Sequence, residues 1–186
     1  RQFSQKIQSQ TSCNYSQWRN MLKIITTSSL IPRNGLDTLI KACAMLKIDW
    51  ELTIAGDGPL HNDLENLAIK LGIINRVKFL GRVPSEKIPE LLENNDLFVR
   101  PSRAEGFGNS FIEAMATGVP VIGTPVGGIV DFLISGETGL MVPVDNPKEL
   151  ALAIDKIYRD KAFTKKIINQ AQKKAQESDW DIIAPK

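Results

Sequence analysis

The chain has 186 residues, 42% of them hydrophobic and 24% charged, with a net charge of +2 at pH 7. That is the composition of one soluble globular domain, long enough to bury a sizeable core. The small net charge and the lack of basic clusters interleaved with aromatics exclude a strongly basic nucleic-acid binder. The single histidine, His61, cannot hold a metal alone, and no apolar run approaches the ~20 residues of a membrane span.

Residues 1–20 are polar and aperiodic and read as a linker or tail. The opening on Arg1, with no methionine and no signal peptide, is expected of a piece excised from a longer protein. A first strand is predicted from Leu22 through Lys23-Ile-Ile-Thr-Thr-Ser. After Pro32 and Gly35, Leu36, Leu39, Ile40, Cys43 and Leu46 recur at helical spacing. Trp50–Ala55 is a second strand ending in the turn Gly56-Asp-Gly-Pro59, and Leu60, Leu64, Leu67, Ala68 and Leu71 mark the next helix. Val77–Leu80 is a third strand closed by Gly81. Residues 85–94 predict a short helix with Ser85 as N-cap and Pro89 in its first turns. Asp96–Arg100 is a fourth strand, 110–117 a helix, and Val119–Gly123 a fifth strand. Gly127-Gly128 opens a brief helix to Ile134, and Gly139–Pro143 is a sixth strand. Helices over Pro147–Tyr158 and Ala162–Glu177 follow.

Strands of four to six residues alternating with helices need right-handed crossovers between parallel neighbours. The expected fold is therefore α/β: a doubly wound, parallel, Rossmann-like sheet of about six strands with helices on both faces. Ligands in such sheets bind at the carboxyl ends of the strands, and the glycine-rich turns at 56–59, 106–108 and 127–128 all follow strands. Cys13 and Cys43 have no metal-ligand spacing and read as free thiols of a reducing compartment.

The most informative stretch is Glu105-Gly-Phe-Gly-Asn-Ser-Phe-Ile-Glu113, where two carboxylates flank a glycine-rich turn that enters a helix. Gly106 and Gly108 clear side chains from a place where backbone must approach a ligand. Asn109 or Ser110 can cap the helix. The amides of Asn109, Ser110 and Phe111 then lie at the positive end of its dipole, suited to an anion. Glu113 has two readings that local sequence leaves open. It could accept from ligand hydroxyls, or bond back to Ser110 in a capping box. Glu105 gains nothing from capping and is expected to touch a ligand. Together these features suit a nucleotide sugar, with its diphosphate on the amides and its hydroxyls on the carboxylates.

This segment resembles the E-x7-E motif of the GT4 family of retaining glycosyltransferases with the GT-B fold. Other pieces in the family's order support the resemblance: Gly56-Asp-Gly-Pro59, Phe79-Leu-Gly-Arg-Val83, Asp96–Ser102, Gly118-Val-Pro-Val, Gly127-Gly128 and Gly136-Glu-Thr-Gly-Leu140. The similarity covers roughly residues 22–182. It implies the C-terminal, donor-binding half of a two-domain enzyme whose N-terminal acceptor domain is missing from this piece. Residues 21–177 would form the nucleotide-sugar-binding domain, and 178–186, with Trp180, would begin a crossover segment.

Carried over by position, Glu105 would contact the donor sugar and act in catalysis, and Glu113 would accept from the ribose. The backbone of Asn109, Ser110 and Phe111, beside Gly106, Phe107 and Gly108, would hold the diphosphate. The base would meet Arg82 and Val83, with Gly56 lining the pocket. The resemblance implies no cofactor and no metal, a nucleotide sugar as partner, and no nucleic acid. It also implies a cytoplasmic location, or a peripheral contact at the inner membrane face through the missing domain. Asp131 is assigned no catalytic role, and Lys165, Lys166, Lys173 and Lys174 read as a solvated face.

One departure bears on mechanism. The family's Arg and Lys in the loop after the first strand, placed to neutralise the leaving diphosphate, fall on Ser29 and Asn34 here. Arg33 is the neighbouring cation and the expected catalytic substitute. The alternative is a non-catalytic or degenerate nucleotide-sugar-binding module. An epimerase or hydrolase on this fold is disfavoured by the single histidine and the lack of a second acid cluster.

Overall fold

The structure, a computed structural model, describes residues 21–177. The polar tail, Cys13 and the crossover segment with Trp180 lie outside the described residues. Six parallel strands run in the order β3-β2-β1-β4-β5-β6. They are β1 (Leu22–Thr27), β2 (Trp50–Ala55), β3 (Val77–Gly81), β4 (Leu97–Val99), β5 (Val121–Gly123) and β6 (Leu140–Met141).

Both faces of the sheet are covered, so the inner strands are buried along nearly their whole length, while the edge strand β3 alternates, with Lys78 and Leu80 exposed. Ile24, Leu52, Leu97, Val99 and Ile122 enter one core. That core is closed by α1 (Leu36–Ala44), α2 (His61–Lys70) and, further along the chain, Pro147–Arg159. Ile25, Phe98 and Val121 point the other way. Their core is closed by α3 (Ile88–Glu93), α4 (Asn109–Ala116) and Lys161–Glu177. The last two helices among the described residues are thus α5 (Pro147–Arg159), on the first face, and α6 (Lys161–Glu177), on the second. On the second face Phe98 and Phe111, both fully buried, meet edge to face at 5.2 Å.

Several boundaries shift from the expected ones, each for a local reason. β4 stops at Val99 because Pro101 removes a ladder donor two residues later. Ser85 does not cap: residues 85–87 form a 3-10 turn after Pro84, and α3 starts at Ile88 with no side-chain cap. The helix expected over 110–117 begins one residue earlier, after Gly108, whose φ of 82° a side chain would resist. Gly127–Asp131 is 3-10 rather than α-helical. α5 has a side-chain cap, Asn146 Oδ1 accepting from the Glu149 amide at 3.0 Å. His61 is half-buried, its ring centroid 5.1 Å from that of Phe79. No helix among the described residues is long and apolar enough to cross a membrane.

Candidate functional site

The strand order reverses direction between β1 and β4, so the loops leaving their carboxyl ends diverge and open a crevice. Thr27 ends β1 at that point and lines two open cavities, of about 400 and 530 Å³. The first is walled by Arg100 beyond β4, the Glu105–Gly108 turn, the start of α4 and Glu113. The second is walled by the loops after β1, β2 and β3, including Ser29, Gly56, Arg82 and Val83.

Backbone packing sets the shape of the second cavity. An ideal Cβ on Gly56 would sit 1.8 Å from the Ser28 carbonyl oxygen, and one on Gly58 would sit 2.6 Å from that of Leu30. The two loops therefore touch main chain to main chain, held by the Leu30 amide donating to the Asp57 carbonyl at 3.0 Å.

In the first cavity Glu105 is fixed by three donors. Arg100 Nη2 lies 2.8 Å from Oε2, Ser102 Oγ donates to the same oxygen at 3.3 Å, and the Gly106 amide donates to Oε1 at 3.1 Å. Arg100 also donates from Nη1 to Ser110 Oγ at 2.7 Å and from Nη2 to Asn34 Oδ1 at 3.2 Å. Asn34, itself buried, donates to the Ser29 carbonyl at 2.7 Å. One guanidinium thus ties together the loop after β1, the glycine-rich turn and the first turn of α4. Burial pushes the Arg100 guanidinium down, Glu105 opposes that, and the charge of Arg33 adds to it. A guanidinium remains protonated at neutral pH even so.

This arrangement decides the open question about Glu113. Ser110 Oγ is occupied by Arg100, and the N-cap is Gly108 with no side-chain bond, so no capping box forms. The Glu113 side chain instead faces the cavity one turn into α4, and burial pushes its carboxyl above the ordinary value. Asn109 and Ser110, the first two residues of α4, line the cavity, and their amides have no acceptor within the helix.

Phe111 departs from expectation. Its amide donates to the Gly108 carbonyl at 2.9 Å and its ring is fully buried, so it is not on the cavity wall. Phe107 lines the cavity with 42% of its surface exposed. Gly106 acts behind it: its carbonyl accepts from the Gly128 amide at 2.8 Å, seating the turn on the 127–128 backbone.

Arg33 is exposed and lines neither cavity. Its carbonyl accepts from the Arg103 amide at 2.6 Å, and Arg103 continues the clamp through Asp37 and Asp145, each at 2.7 Å. Sequence reasoning missed Arg100, quoting it only within a longer motif. A charge ending the apolar run Leu97-Phe-Val was the available signal. It also missed Thr27, whose buried hydroxyl has no partner among the described residues. No cluster of three or more His, Cys, Asp or Glu among the described residues could hold a metal ion.

The sequence pattern of the group 1 glycosyl transferases matches residues 18–174. An uncharacterized glycosyltransferase of Methanocaldococcus jannaschii is 34% identical over 164 residues, which is 87% of this chain and 42% of that protein. The GDP-mannose-dependent alpha-(1-6)-phosphatidylinositol monomannoside mannosyltransferase of Mycobacterium tuberculosis is 33% identical over 175 residues, covering 88% and 45%. The chain thus spans less than half the length of these relatives. Among solved structures, Anabaena HepE in complex with UDP and glucose superposes with a TM-score of 0.80 at 30% identity, over 85% of this chain and 44% of that one. The six-stranded parallel sheet with helices on both faces is one Rossmann-like half of the GT-B fold. The chain belongs to the group 1 glycosyltransferases.

Proposed function

We propose that this chain is the donor-binding half of a retaining glycosyltransferase, which moves a sugar from a nucleoside-diphosphate sugar to an acceptor held by an N-terminal domain of the same protein. The observation that carries the proposal is the pair of cavities joined at Thr27. One contains two carboxylates and the opening turn of a helix, and the other is lined by the loops at 28–29, 56–58 and 82–83. The base lies against Arg82 and Val83, with Gly56 beneath it. The diphosphate lies on the amides of Asn109 and Ser110. Glu113 accepts from the ribose and Glu105 from the sugar. The complex of HepE with UDP and glucose supports a nucleotide ligand, and the greater length of the relatives supports a second domain.

The donor is a substrate, and no cofactor or metal takes part. Catalysis on this reading consists of orienting the donor, excluding water and stabilising the departing diphosphate. Retention follows from donor and acceptor meeting on one face of the sugar. The isolated chain binds nucleotide weakly and transfers nothing, because it lacks the acceptor site. A non-catalytic module is the second reading, favoured by Asn34: it is buried and hydrogen-bonded rather than cationic, while Arg33 faces solvent.

Calorimetry of the chain with UDP, GDP and ADP tests the proposal, with binding of at least one expected. No heat with any of them at millimolar ligand overturns it. Sugar release by the full-length protein from its preferred donor separates the two readings.

A further inference from the structure

Arg100 does more in the first cavity than neutralise Glu105. Its side chain is 11% exposed, as is that of Glu105. A buried ion pair gives little net stability over an apolar pair of the same size. Simple pairing also leaves three observations unexplained. The guanidinium reaches Ser110 at the start of α4, Asn34 orients it from behind, and its Nε is buried with no partner among the described residues. It is the one cation among the residues lining this cavity, and it stands beside the free amides of Asn109 and Ser110. A planar guanidinium next to a helix N-terminus matches the fork geometry of phosphate oxygens.

We propose that Arg100 is the cationic contact for the donor's diphosphate, gripping it together with the amides of Asn109 and Ser110. Glu105 and Ser110 hold the guanidinium in place. When the diphosphate arrives, Arg100 gives its hydrogen bonds to the phosphate oxygens, and Glu105 becomes free to accept from the sugar hydroxyls. The charge that stabilises the leaving group thus comes from the end of β4 rather than from the loop after β1, where Asn34 serves as the support that aims it. This inference rests on the donor-site reading above.

The test compares the affinity of wild type, Arg100→Lys and Arg100→Met for UDP, GDP and ADP with that for uridine, guanosine and adenosine, by calorimetry or NMR titration. Losing charged hydrogen bonds should weaken the bound diphosphate roughly 10- to 100-fold in the Met variant. The matching nucleoside should change by less than about two-fold, because it makes no contact with Arg100. Arg100→Lys, which keeps the charge and loses the fork, should fall between. It also serves as the informative variant should the Met protein fail to fold. Undiminished diphosphate binding in both variants, or equal losses for nucleoside and diphosphate, overturns the inference and leaves Arg100 as an internal counter-ion. Absence of nucleotide binding by wild type overturns the donor-site reading and this inference with it.

Discussion

Gly127→Ala is the sharpest structural test of the site. Gly127 has φ of 56°, and an ideal Cβ there would lie 1.9 Å from the Glu105 carbonyl oxygen, 2.8 Å from its carbon and 3.1 Å from the Gly106 oxygen. Carbon and oxygen do not approach much closer than ~3.3 Å, so one backbone must retreat by about 1.4 Å. The left-handed conformation costs a residue with a Cβ about 1–2 kcal/mol. Stretching the Gly128–Gly106 hydrogen bond, 2.8 Å in the native chain, adds about 0.5–1.5 kcal/mol. A total of about 1.5–3.5 kcal/mol lowers Tm by about 3–14 °C for a chain of this size.

The displacement also carries Glu105 away from Arg100 and Ser102, and misplacing a site group by ~1 Å can reduce turnover about 100-fold. Gly72→Ala is the control, since Gly72 has φ of 71° and nothing within 4 Å of an added Cβ. It should show the backbone cost alone and leave nucleotide affinity unchanged. Thermal denaturation and UDP, GDP or ADP titration of both variants make the assay. Gly127→Ala with wild-type melting and wild-type nucleotide affinity would refute the reasoning, because the 105–106 and 127–128 backbones could not then be in contact.

Two further expectations concern charge. Burial raises the Glu113 carboxyl above its ordinary 4.5 in the folded state, so ionising it opposes folding. Glu113→Gln should therefore melt higher than wild type at neutral pH, and this gap should shrink as pH falls through the raised value of the native carboxyl. The same variant should bind nucleoside more weakly, and a loss of stability at pH 7 would contradict the burial argument. Arg103→Met breaks ion pairs to Asp37 and Asp145 that are partly exposed, and should cost about 1 kcal/mol at low salt and less at high salt. Burial acts to raise the Asp37 carboxyl, but the hydrogen bonds and charges of Lys41 and Arg103 outweigh it and hold the group below its ordinary 3.8. That stabilisation is present above pH 3.8 and lost as pH falls through the lowered value, so the Tm gap between wild type and Arg103→Met should close only in strong acid. A gap that is the same at pH 7 and in strong acid would rule out the Asp37 link.

The alternation of strands and helices was legible along the chain because each element carries its own period and punctuation. Trp50–Ala55 is a mostly apolar run that leads into Gly-Asp-Gly-Pro, and Leu36 to Cys43 repeats every three or four residues. The Glu105–Glu113 segment was also legible, since its glycines, carboxylates and helix start lie within one short stretch. Interactions that depend on distant partners were not. Ser110 looked like a cap until Arg100 was found to occupy its hydroxyl. Phe111 looked like an anion contact until its amide turned to Gly108 and its ring into the core. Arg100 meets Asn34 across 66 residues only because β1 and β4 are neighbours in the sheet. Local pattern is set by backbone geometry and burial of nearby side chains, so the sequence alone determined the class of fold and the region of the site. Which groups face the cavity, and which charge stands beside the helix, depend on strand order and on the two loops diverging between β1 and β4, and only the tertiary structure decided them.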